Sequence, residues 1–418
     1  MYHKTVLENG LRIVSEGLDH LKSVSLGIWV NAGSRDEEAE QNGILHFIEH
    51  MIFKGTRSRS TFQIAKELDS IGGMSNAFTA KENTCFHARV LGKHFERLAD
   101  ILSDIFLNSL FDPRELERER QVVLQEISMV EDSPDENVHV LLSCGFWENH
   151  PLGMSILGTE ETVRGIGKET ITRYLERCYG PENVIIAGAG NIRHEDLVSY
   201  VRPLFEDLKP GVLKKNRVAP RSHAGIFCKE KEHEQVHLCL GADAPSMKDD
   251  RRFACALFNI ILGGNMSSRL FQEIREERGL AYNVYSFHST YCDAGMFGVY
   301  LATDTGSINP ALKVIQHEIR KIQEGDLCSD DLAAAKEHLE GGIYLSSESP
   351  DNRMMRLAKN EMVYERYVSY DELVAQIQKV TIDEVVAIAG DVFHNGNVFL
   401  ATLGPFSKNM LDDHYLQF

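Results

Sequence analysis

A histidine, a glutamate and a second histidine lie close together in the segment HFIEHMIFKGT, residues 46–56. They are His46, Glu49 and His50, and no glycine or proline interrupts residues 44–54. We therefore expect a helix that places the three side chains on one face. Two imidazoles on adjacent turns can share one tetrahedral metal ion, and the carboxylate can reach a water molecule there. The spacing predicts a hydrolytic metal site, and the alternative is a chance pattern in a chain with 17 histidines.

A third protein ligand is expected, because open catalytic zinc sites usually have three. The segment ERERQVVLQEI offers Glu119 and Glu126 in a helical stretch that begins after Pro113, a residue suited to a first turn. Seven residues apart, they share a helix face about 10 Å apart along the axis, so one ion cannot take both. One would bind the metal, and the other would support a ligand or aid proton transfer beside it. The alternative is that both belong to the solvated side of a charged helix.

The elements around these residues mix strands and helices without regular alternation. Each half of the chain opens with period-two segments such as LRIVSE and QVHLCLGA, which are typical of strands. Helix-period segments such as HFERLADILSDIFLNSLF follow, and each half closes with a short apolar strand before a glycine. This order predicts an α+β fold in which helices cover a mostly antiparallel sheet.

The two halves are similar to each other. SVSLGIWVNAGS returns as QVHLCLGADAPS 212 residues later, and NVIIAGAG returns as NVFLATLG 214 residues later. One near-constant offset indicates an internal duplication. We predict an N-terminal catalytic domain at 1–210, a linker at 211–224 and a homologous domain at 225–418. At the 212-residue offset the metal motif falls opposite apolar residues, so the second domain should lack the metal site.

Composition restricts the partners and the compartment. The chain has 62 acidic and 44 basic residues and a formal charge of −18, which disfavours nucleic acid and anionic membranes and suits basic peptides. Eight cysteines without a C-x-x-C pair are typical of reduced thiols. No signal, transit or transmembrane segment is evident. We expect a cytoplasmic location.

Several sequence blocks resemble one known family. GILHFIEHMIFKGT, with Glu126 located 76 residues after His50, resembles the pitrilysin (insulinase) family of inverted-motif zinc metallopeptidases. The short two-domain members, namely mitochondrial processing peptidase subunits and their bacterial relatives, are the most similar. The resemblance covers essentially the whole chain and includes NAGSRDE, NAFTAKENT, HPLG and SSRLFQEIREERGLAYNVYS.

The resemblance implies a role for each residue of the metal motif. It implies that His46, His50 and Glu126 bind one Zn²⁺ per chain. Glu49 is then the general base that acts on water at the metal and later protonates the leaving amine. Glu119 assists catalysis without binding the ion.

It also implies how a substrate is held. Arg275 and Tyr282 would contact the substrate near the scissile bond, and the tyrosine would help to stabilise the oxyanion. Without the resemblance, a surface ion pair and a core tyrosine are the alternatives. Asn76, Ala77 and Phe78 would lie on an edge strand that pairs with an extended peptide.

Finally, the resemblance implies an assembly. Each chain would form one half-shell of a clamshell chamber, and a homodimer would build two sites, each with Arg275 and Tyr282 from the partner. The loop LGGNMSSRL is short, so the presequence specificity of mitochondrial enzymes is not carried over. We expect a bacterial zinc endopeptidase that acts on short or unfolded polypeptides. The alternatives are a non-catalytic relative and a subunit that requires a partner for activity.

Overall fold

A computed structural model describes residues 1–211, 217–411 and 417–418 of the chain. These residues form two compact units. The first unit comprises Met1–Ser128, Met154–Arg217 and Leu345–Val368, and the second comprises Met129–Gly153, Val218–Tyr344 and Ser369–Phe418. Each unit therefore contains segments from both halves of the sequence.

Each unit is built on one sheet. The strands are Tyr2–Val6 (β1), Arg12–Gly17 (β2), Ser23–Val30 (β3), Met74–Thr79 (β4), Thr84–Leu91 (β5), Val184–Gly190 (β6), Gly225–Glu230 (β7), Val236–Asp243 (β8), Asn283–Thr290 (β9), Gly295–Thr303 (β10) and Phe399–Gly404 (β11). The first sheet has the order β1-β2-β6-β3-β5-β4, and the second has the order β7-β11-β8-β10-β9. Only the β2–β6 pair and the β7–β11 pair are parallel among these neighbours. The predicted α+β fold with mostly antiparallel sheets is confirmed.

Helices fill the chain between the strands. They are Ile44–Met51 (α1), Thr61–Ser70 (α2), Phe95–Asn108 (α3), Pro113–Asp132 (α4), Pro134–Phe146 (α5), Glu160–Gly165 (α6), Lys168–Cys178 (α7), His194–Phe205 (α8), Arg252–Leu262 (α9), Ile308–Gln323 (α10), Ser329–Ser346 (α11), Pro350–Tyr364 (α12), Tyr370–Lys379 (α13) and Ile382–Val392 (α14). A π-helical turn spans Phe271–Glu276. Within the described residues, no helix combines the length and apolar character needed to cross a bilayer.

The internal duplication is visible in the strand order. The series β2-β6-β3-β5-β4 and the series β7-β11-β8-β10-β9 have the same arrangement, with one parallel pair at the same place. α9 follows β8 as α1 follows β3. At the positions opposite the metal motif, α9 carries Phe258, Ile261 and Leu262, which are buried in the core of the second unit. The second copy of this helix therefore has a packing role.

Both faces of each sheet are covered. Successive residues of a strand point to opposite faces, so neighbouring residues belong to different apolar clusters. On β3, Ile28 belongs to the main core of the first unit, whereas neighbouring Trp29 belongs to a smaller cluster with Met354 of α12. The Trp29 Nε1–H group donates to Met354 Sδ at 3.1 Å. On β8, Leu238 lies in the main core of the second unit, and Cys239 packs in a smaller cluster with α5.

The helices that cover the second face of each sheet, α5 and α12, make the observed units differ from the predicted domains. The sequence divides at 211–224, but residues 129–153 belong to the second unit and residues 345–368 to the first. The physical reason is that each sheet has a second apolar face, which a helix from the other half of the chain buries. Of the predicted linker, residues 212–216 lie outside the described part of the chain.

Candidate metal centre

The helix that carries the two histidines, α1, is short and is held at its N-terminus by a buried carboxylate. Glu37 accepts hydrogen bonds from the Gly43 amide at 2.8 Å, from the Leu45 amide at 2.9 Å and from the Asn42 side-chain amide at 2.9 Å. Burial nevertheless raises the pKa of Glu37 to about 7. The first amides of a helix have no partner within the helix. Glu37 supplies one and fixes where α1 begins.

Replacement of Glu37 by alanine is expected to lower the free energy of unfolding by about 2 kcal/mol, because it leaves buried amides without an acceptor. Chemical denaturation of the metal-free protein measures the change. Glu37→Gln retains one acceptor oxygen and should be milder. Glu38→Ala, at an adjacent residue whose side chain is 56% exposed, is the matched control. An alanine variant at position 37 as stable as this control would contradict the capping role.

His46 and His50 face α4, on which Glu126 lies between them. One Glu126 oxygen, Oε2, is 3.6 Å from His46 Nε2 and 3.4 Å from His50 Nε2. The two imidazole rings are 4.7 Å apart, centroid to centroid, and stand edge to face. The ligand atoms of the three residues all lie within 4.8 Å of one another. The structure therefore brings His46, His50 and Glu126 together at one point.

The arrangement fits a zinc ion. Zinc binds imidazole nitrogen and carboxylate oxygen at about 2.0–2.2 Å in tetrahedral sites, so two ligand atoms should be about 3.3 Å apart. The two histidine–glutamate distances of 3.4 and 3.6 Å are close to that value. Two imidazoles and one carboxylate also match the donor types that zinc takes in hydrolytic sites. These three residues could hold the ion and leave a fourth position open.

The ionisable groups of the cluster shift one another's pKa values. Burial lowers the pKa of His46, and the neighbouring His50 acts in the same direction. Hydrogen bonding to Glu126 raises the pKa of His50, and the same contact holds the pKa of Glu126 below its usual range. The side chains thus favour a neutral imidazole at His46 and an ionised carboxylate at Glu126, which are the forms that bind metal.

Glu49 lies on the same helix, next to the ligands. Burial raises the pKa of its carboxyl group, against hydrogen bonding by the side chain and amide of Thr79 on β4. Its Oε2 atom is buried and has no hydrogen-bond partner within the part of the chain that the structure describes. A buried carboxylate oxygen without a partner costs free energy unless something occupies the space beside it. This oxygen is available to a water molecule or substrate at the metal position.

Glu119 occupies the next place along α4. Its Oε2 atom lies 3.3 Å from His50 Nδ1, the ring nitrogen on the side away from Glu126. Its Oε1 atom lies 2.7 Å from Lys54 Nζ. Glu119 thus contacts a histidine rather than the point where the three ligand atoms converge. Geometry separates two glutamates that spacing alone leaves equivalent.

The predicted substrate residues on β4 lie at the edge of the first sheet. Among the described strands, β4 pairs with β5 alone. Asn76 is exposed, and Ala77 and Phe78 are partly buried. Phe78 packs edge to face on Trp29, with ring centroids 5.5 Å apart. An edge strand with a free side is what pairing with an extended peptide requires.

Arg275 and Tyr282 lie together in the second unit, whereas the residues above belong to the first. The Arg275 guanidinium carbon is 4.4 Å from the centre of the Tyr282 ring, and Tyr282 is 77% exposed. Between them, Gly279 has φ +58°, and the Leu280 amide donates to the Ile274 carbonyl at 2.8 Å. This left-handed glycine ends the helical turn and starts the path to β9.

Two residues of this region carry no role in the sequence-based prediction. Glu37, in the NAGSRDE block, caps α1 through contacts that no local spacing reveals. Lys54 follows His50 by four residues, and this i, i+4 spacing could have placed it beside the metal ligands.

Comparison with known proteins adds independent findings. The family model described as insulinase (peptidase family M16) matches residues 12–160, which contain the whole histidine–glutamate cluster. The model described as peptidase M16 inactive domain matches residues 165–339, which contain Arg275 and Tyr282.

Bacterial proteins named as uncharacterized zinc proteases are similar over nearly their full length. One from Bacillus subtilis is 39% identical over 98% of this chain and 100% of its own length. One from Streptomyces coelicolor is 38% identical over 96% of this chain and 89% of its own length. One from Mycobacterium leprae is 36% identical over 97% of this chain and 92% of its own length.

Two crystal structures share the fold. A protease from Helicobacter pylori has a TM-score of 0.90 and 21% identity, covering 97% of this chain and 99% of that chain. A peptidase M16 inactive domain from Pseudomonas fluorescens also has a TM-score of 0.90 and 21% identity, covering 97% of this chain and 98% of that chain. At this identity the likeness establishes the architecture.

Proposed function

Because this chain belongs to the insulinase (M16) family of peptidases, we propose that it is a zinc-dependent endopeptidase that hydrolyses short or unfolded polypeptides bound in extended form. One observation carries the proposal. The ligand atoms of His46, His50 and Glu126 converge within 4.8 Å, and the unpartnered carboxylate oxygen of Glu49 lies buried on the same helix. Relatives that are 36–39% identical over nearly the whole chain are named as zinc proteases.

The proposed chemistry assigns each group one task. When bound, Zn²⁺ supplies a Lewis acid that polarises the scissile carbonyl and lowers the pKa of water. His46, His50 and Glu126 would hold the ion. Glu49 would accept the proton of the attacking water and return it to the leaving amine. Thr79, which acts to lower the pKa of the Glu49 carboxyl group, would favour the ionised form that accepts the proton.

We propose that the substrate backbone adds to β4 as a further strand. The free edge of β4 supports this mode of binding, and Asn76, Ala77 and Phe78 are the residues that would pair with it. Such pairing uses main-chain groups and requires an extended peptide, so folded proteins would be poor substrates. The charge of −18 supports a preference for basic peptides.

We also propose that the active form is a homodimer in which Arg275 and Tyr282 act on the zinc site of the partner. Tyr282 supports this because its ring is largely exposed although it stacks on Arg275, as expected for a side chain that meets something outside its own unit. The phenol would donate a hydrogen bond to the oxyanion. The alternative is a subunit that depends on a different partner chain.

Mixing two inactive variants tests the homodimer. Glu49→Gln and Tyr282→Phe should each be nearly inactive alone, but their mixed dimers contain one site with both groups intact. After subunit exchange we expect recovery of up to about a quarter of the wild-type activity, since half of the dimers are mixed and each has one working site. Recovery of no activity from stable, exchanging dimers would contradict action on the partner's site.

The state of the cysteines bears on the compartment in which the protein works. Within the described residues, no disulfide joins the cysteines at 85, 144, 178, 228, 239, 255, 292 and 328. Reduced thiols are typical of a reducing compartment. We propose a bacterial cytoplasmic enzyme, in keeping with the bacterial relatives.

The test of the function is cleavage of a quenched fluorescent basic peptide by the purified chain. We expect about one zinc ion per chain, turnover without any added protein, and loss of turnover on chelation that zinc restores. A zinc-loaded chain that cleaves no peptide would favour the partner-dependent alternative. A chain that binds no zinc would overturn the assignment of His46, His50 and Glu126.

A further inference from the structure

Contacts between α1 and α4 continue beyond the metal ligands. His46 and His50 both approach Glu126, His50 also approaches Glu119, and Lys54 approaches Glu119. The three residues of the first segment follow one another at intervals of four, and the two glutamates are seven apart. From His46 to Lys54 along the first segment, the contacted residue on α4 therefore changes from Glu126 to Glu119. The two segments run antiparallel, and Lys54 is the last member of one continuous row.

We propose that Lys54 is a positioning residue for the metal site, which acts through Glu119 on His50. Lys54 Nζ lies 2.7 Å from Glu119 Oε1, and the other oxygen of the same carboxylate lies 3.3 Å from His50 Nδ1. The Glu119 side chain is 9% exposed, and that of Lys54 is 27% exposed. The Glu119 carboxylate thus connects the Lys54 ammonium group to His50 Nδ1, the ring nitrogen that does not face Glu126.

The effect on His50 follows from its two ring nitrogens. A carboxylate at Nδ1 accepts the proton of that nitrogen, so Nε2 keeps its lone pair and can bind a metal. His50 Nε2 is the nitrogen that faces Glu126, at 3.4 Å. Lys54 holds the Glu119 carboxylate in the plane where it can accept that proton. Without Lys54 the carboxylate is free to rotate away or to approach the ion itself.

The position of Lys54 is set by the chain around it. Its amide donates to the Met51 carbonyl at 3.0 Å as α1 ends. On the next residues, the Gly55 carbonyl accepts from the Leu110 amide at 3.1 Å, and Thr56 forms a β-bridge with Ser109. These bonds tie the turn to the segment between α3 and α4. The backbone at Lys54 is therefore held in place, and the extended lysine side chain reaches Glu119 from it.

Charge alone and positioning make opposite predictions for Lys54. Removal of an ammonium group makes the site more negative, and simple attraction would then tighten the binding of a divalent cation. Loss of an outer partner of a ligand histidine instead weakens metal binding, typically by about 10- to 100-fold. If Lys54 acts by positioning, Lys54→Met should weaken zinc binding about 10-fold. The sign of the change separates the two roles.

The experiment is zinc competition against a chromogenic chelator on the full chain, and it rests on the zinc site of the proposed function. Lys54→Met and Glu119→Gln should each weaken binding, and the double variant should be no weaker than Glu119→Gln alone, because both changes break one connection. Lys54→Arg should restore most of the affinity. Lys66→Met, on the exposed face of α2, is the matched control.

Each outcome decides the inference. Unchanged or tighter zinc binding by Lys54→Met, or losses that add fully in the double variant, would overturn it while wild-type zinc binding and turnover leave the proposed function intact. Failure of the wild type to bind zinc would overturn both. Lys54→Gln, which keeps a polar side chain, replaces the methionine variant if thermal unfolding of the metal-free protein shows that the latter is not folded.

Discussion

Replacement of Glu49 by glutamine is expected to reduce turnover of the fluorescent peptide by about 1,000-fold or more while zinc stays bound, because the amide cannot accept a proton. The substitution preserves the size of the side chain, and Glu49 is not among the three residues whose ligand atoms converge. Zinc content by metal analysis and kcat by progress curves are the measurements.

A matched control separates chemistry from general damage. Glu96→Gln makes the same change on the exposed surface of α3 and should leave both zinc content and turnover unaltered. A Glu49→Gln variant that keeps zinc and retains more than a tenth of the wild-type kcat would show that another group takes the proton. Loss of zinc together with turnover would instead indicate that Glu49 itself contributes to metal binding.

Glu126→Gln and Glu119→Gln are expected to differ greatly in zinc affinity, although the two residues lie on one face of α4. Glu126 supplies the carboxylate oxygen that converges with the two imidazole nitrogens. If these atoms bind the ion, loss of the carboxylate should weaken zinc binding by more than about 100-fold, beyond what an outer partner costs. Glu119 contacts His50 at Nδ1, the ring nitrogen that does not face Glu126, so its loss should weaken zinc binding by about 10-fold. Competition with a chelator of known affinity measures both.

Each of these two glutamate variants is the other's control, because the helix, the residue type and the substitution are the same. Turnover at saturating zinc adds a second comparison. Glu119→Gln should recover metal under these conditions and reveal any catalytic loss that remains, whereas Glu126→Gln should stay largely empty. Equal affinities, or a weaker site in the Glu119 variant, would reverse the roles of the two residues.

The row of contacts between α1 and α4 explains why a short helix can support a precise site. α1 is held at its start by Glu37 and along its length by the carboxylates of α4. Carboxylate oxygens lie 3.3 Å from His50 Nδ1 and 3.4 Å from His50 Nε2, and these two contacts restrict the plane of the ring. Preorganised ligands lose little conformational freedom on binding, which favours high affinity.

The helix that carries Glu119 and Glu126 crosses the boundary between the two units. α4 carries Glu119 and Glu126 in the first unit, and after Ser128 the same helix continues into the second unit. After one intervening residue, α5 packs on the second sheet, where Leu142 meets Gly241. The helix with the acidic site residues is therefore covalently continuous with the core of the second unit.

The sequence by itself determined the features that depend on local spacing. The intervals between His46, Glu49 and His50 set one face of a helix, and seven residues between Glu119 and Glu126 set another. Alternating and helical periods identified the α+β fold, and one offset revealed the duplicated sheets. These patterns lie within a few helical turns or strands, so they can be recognised in the sequence without knowledge of how distant segments pack.

Only the tertiary structure decided which groups meet. Spacing cannot tell whether Glu119 or Glu126 lies opposite the histidines, because that depends on the axial register of two helices more than sixty residues apart. The same holds for Glu37 at the start of α1, for Lys54 beside Glu119 and for the helices that cross between the halves. Such contacts arise from packing between segments distant in sequence, and periodicity within a segment carries no information about them.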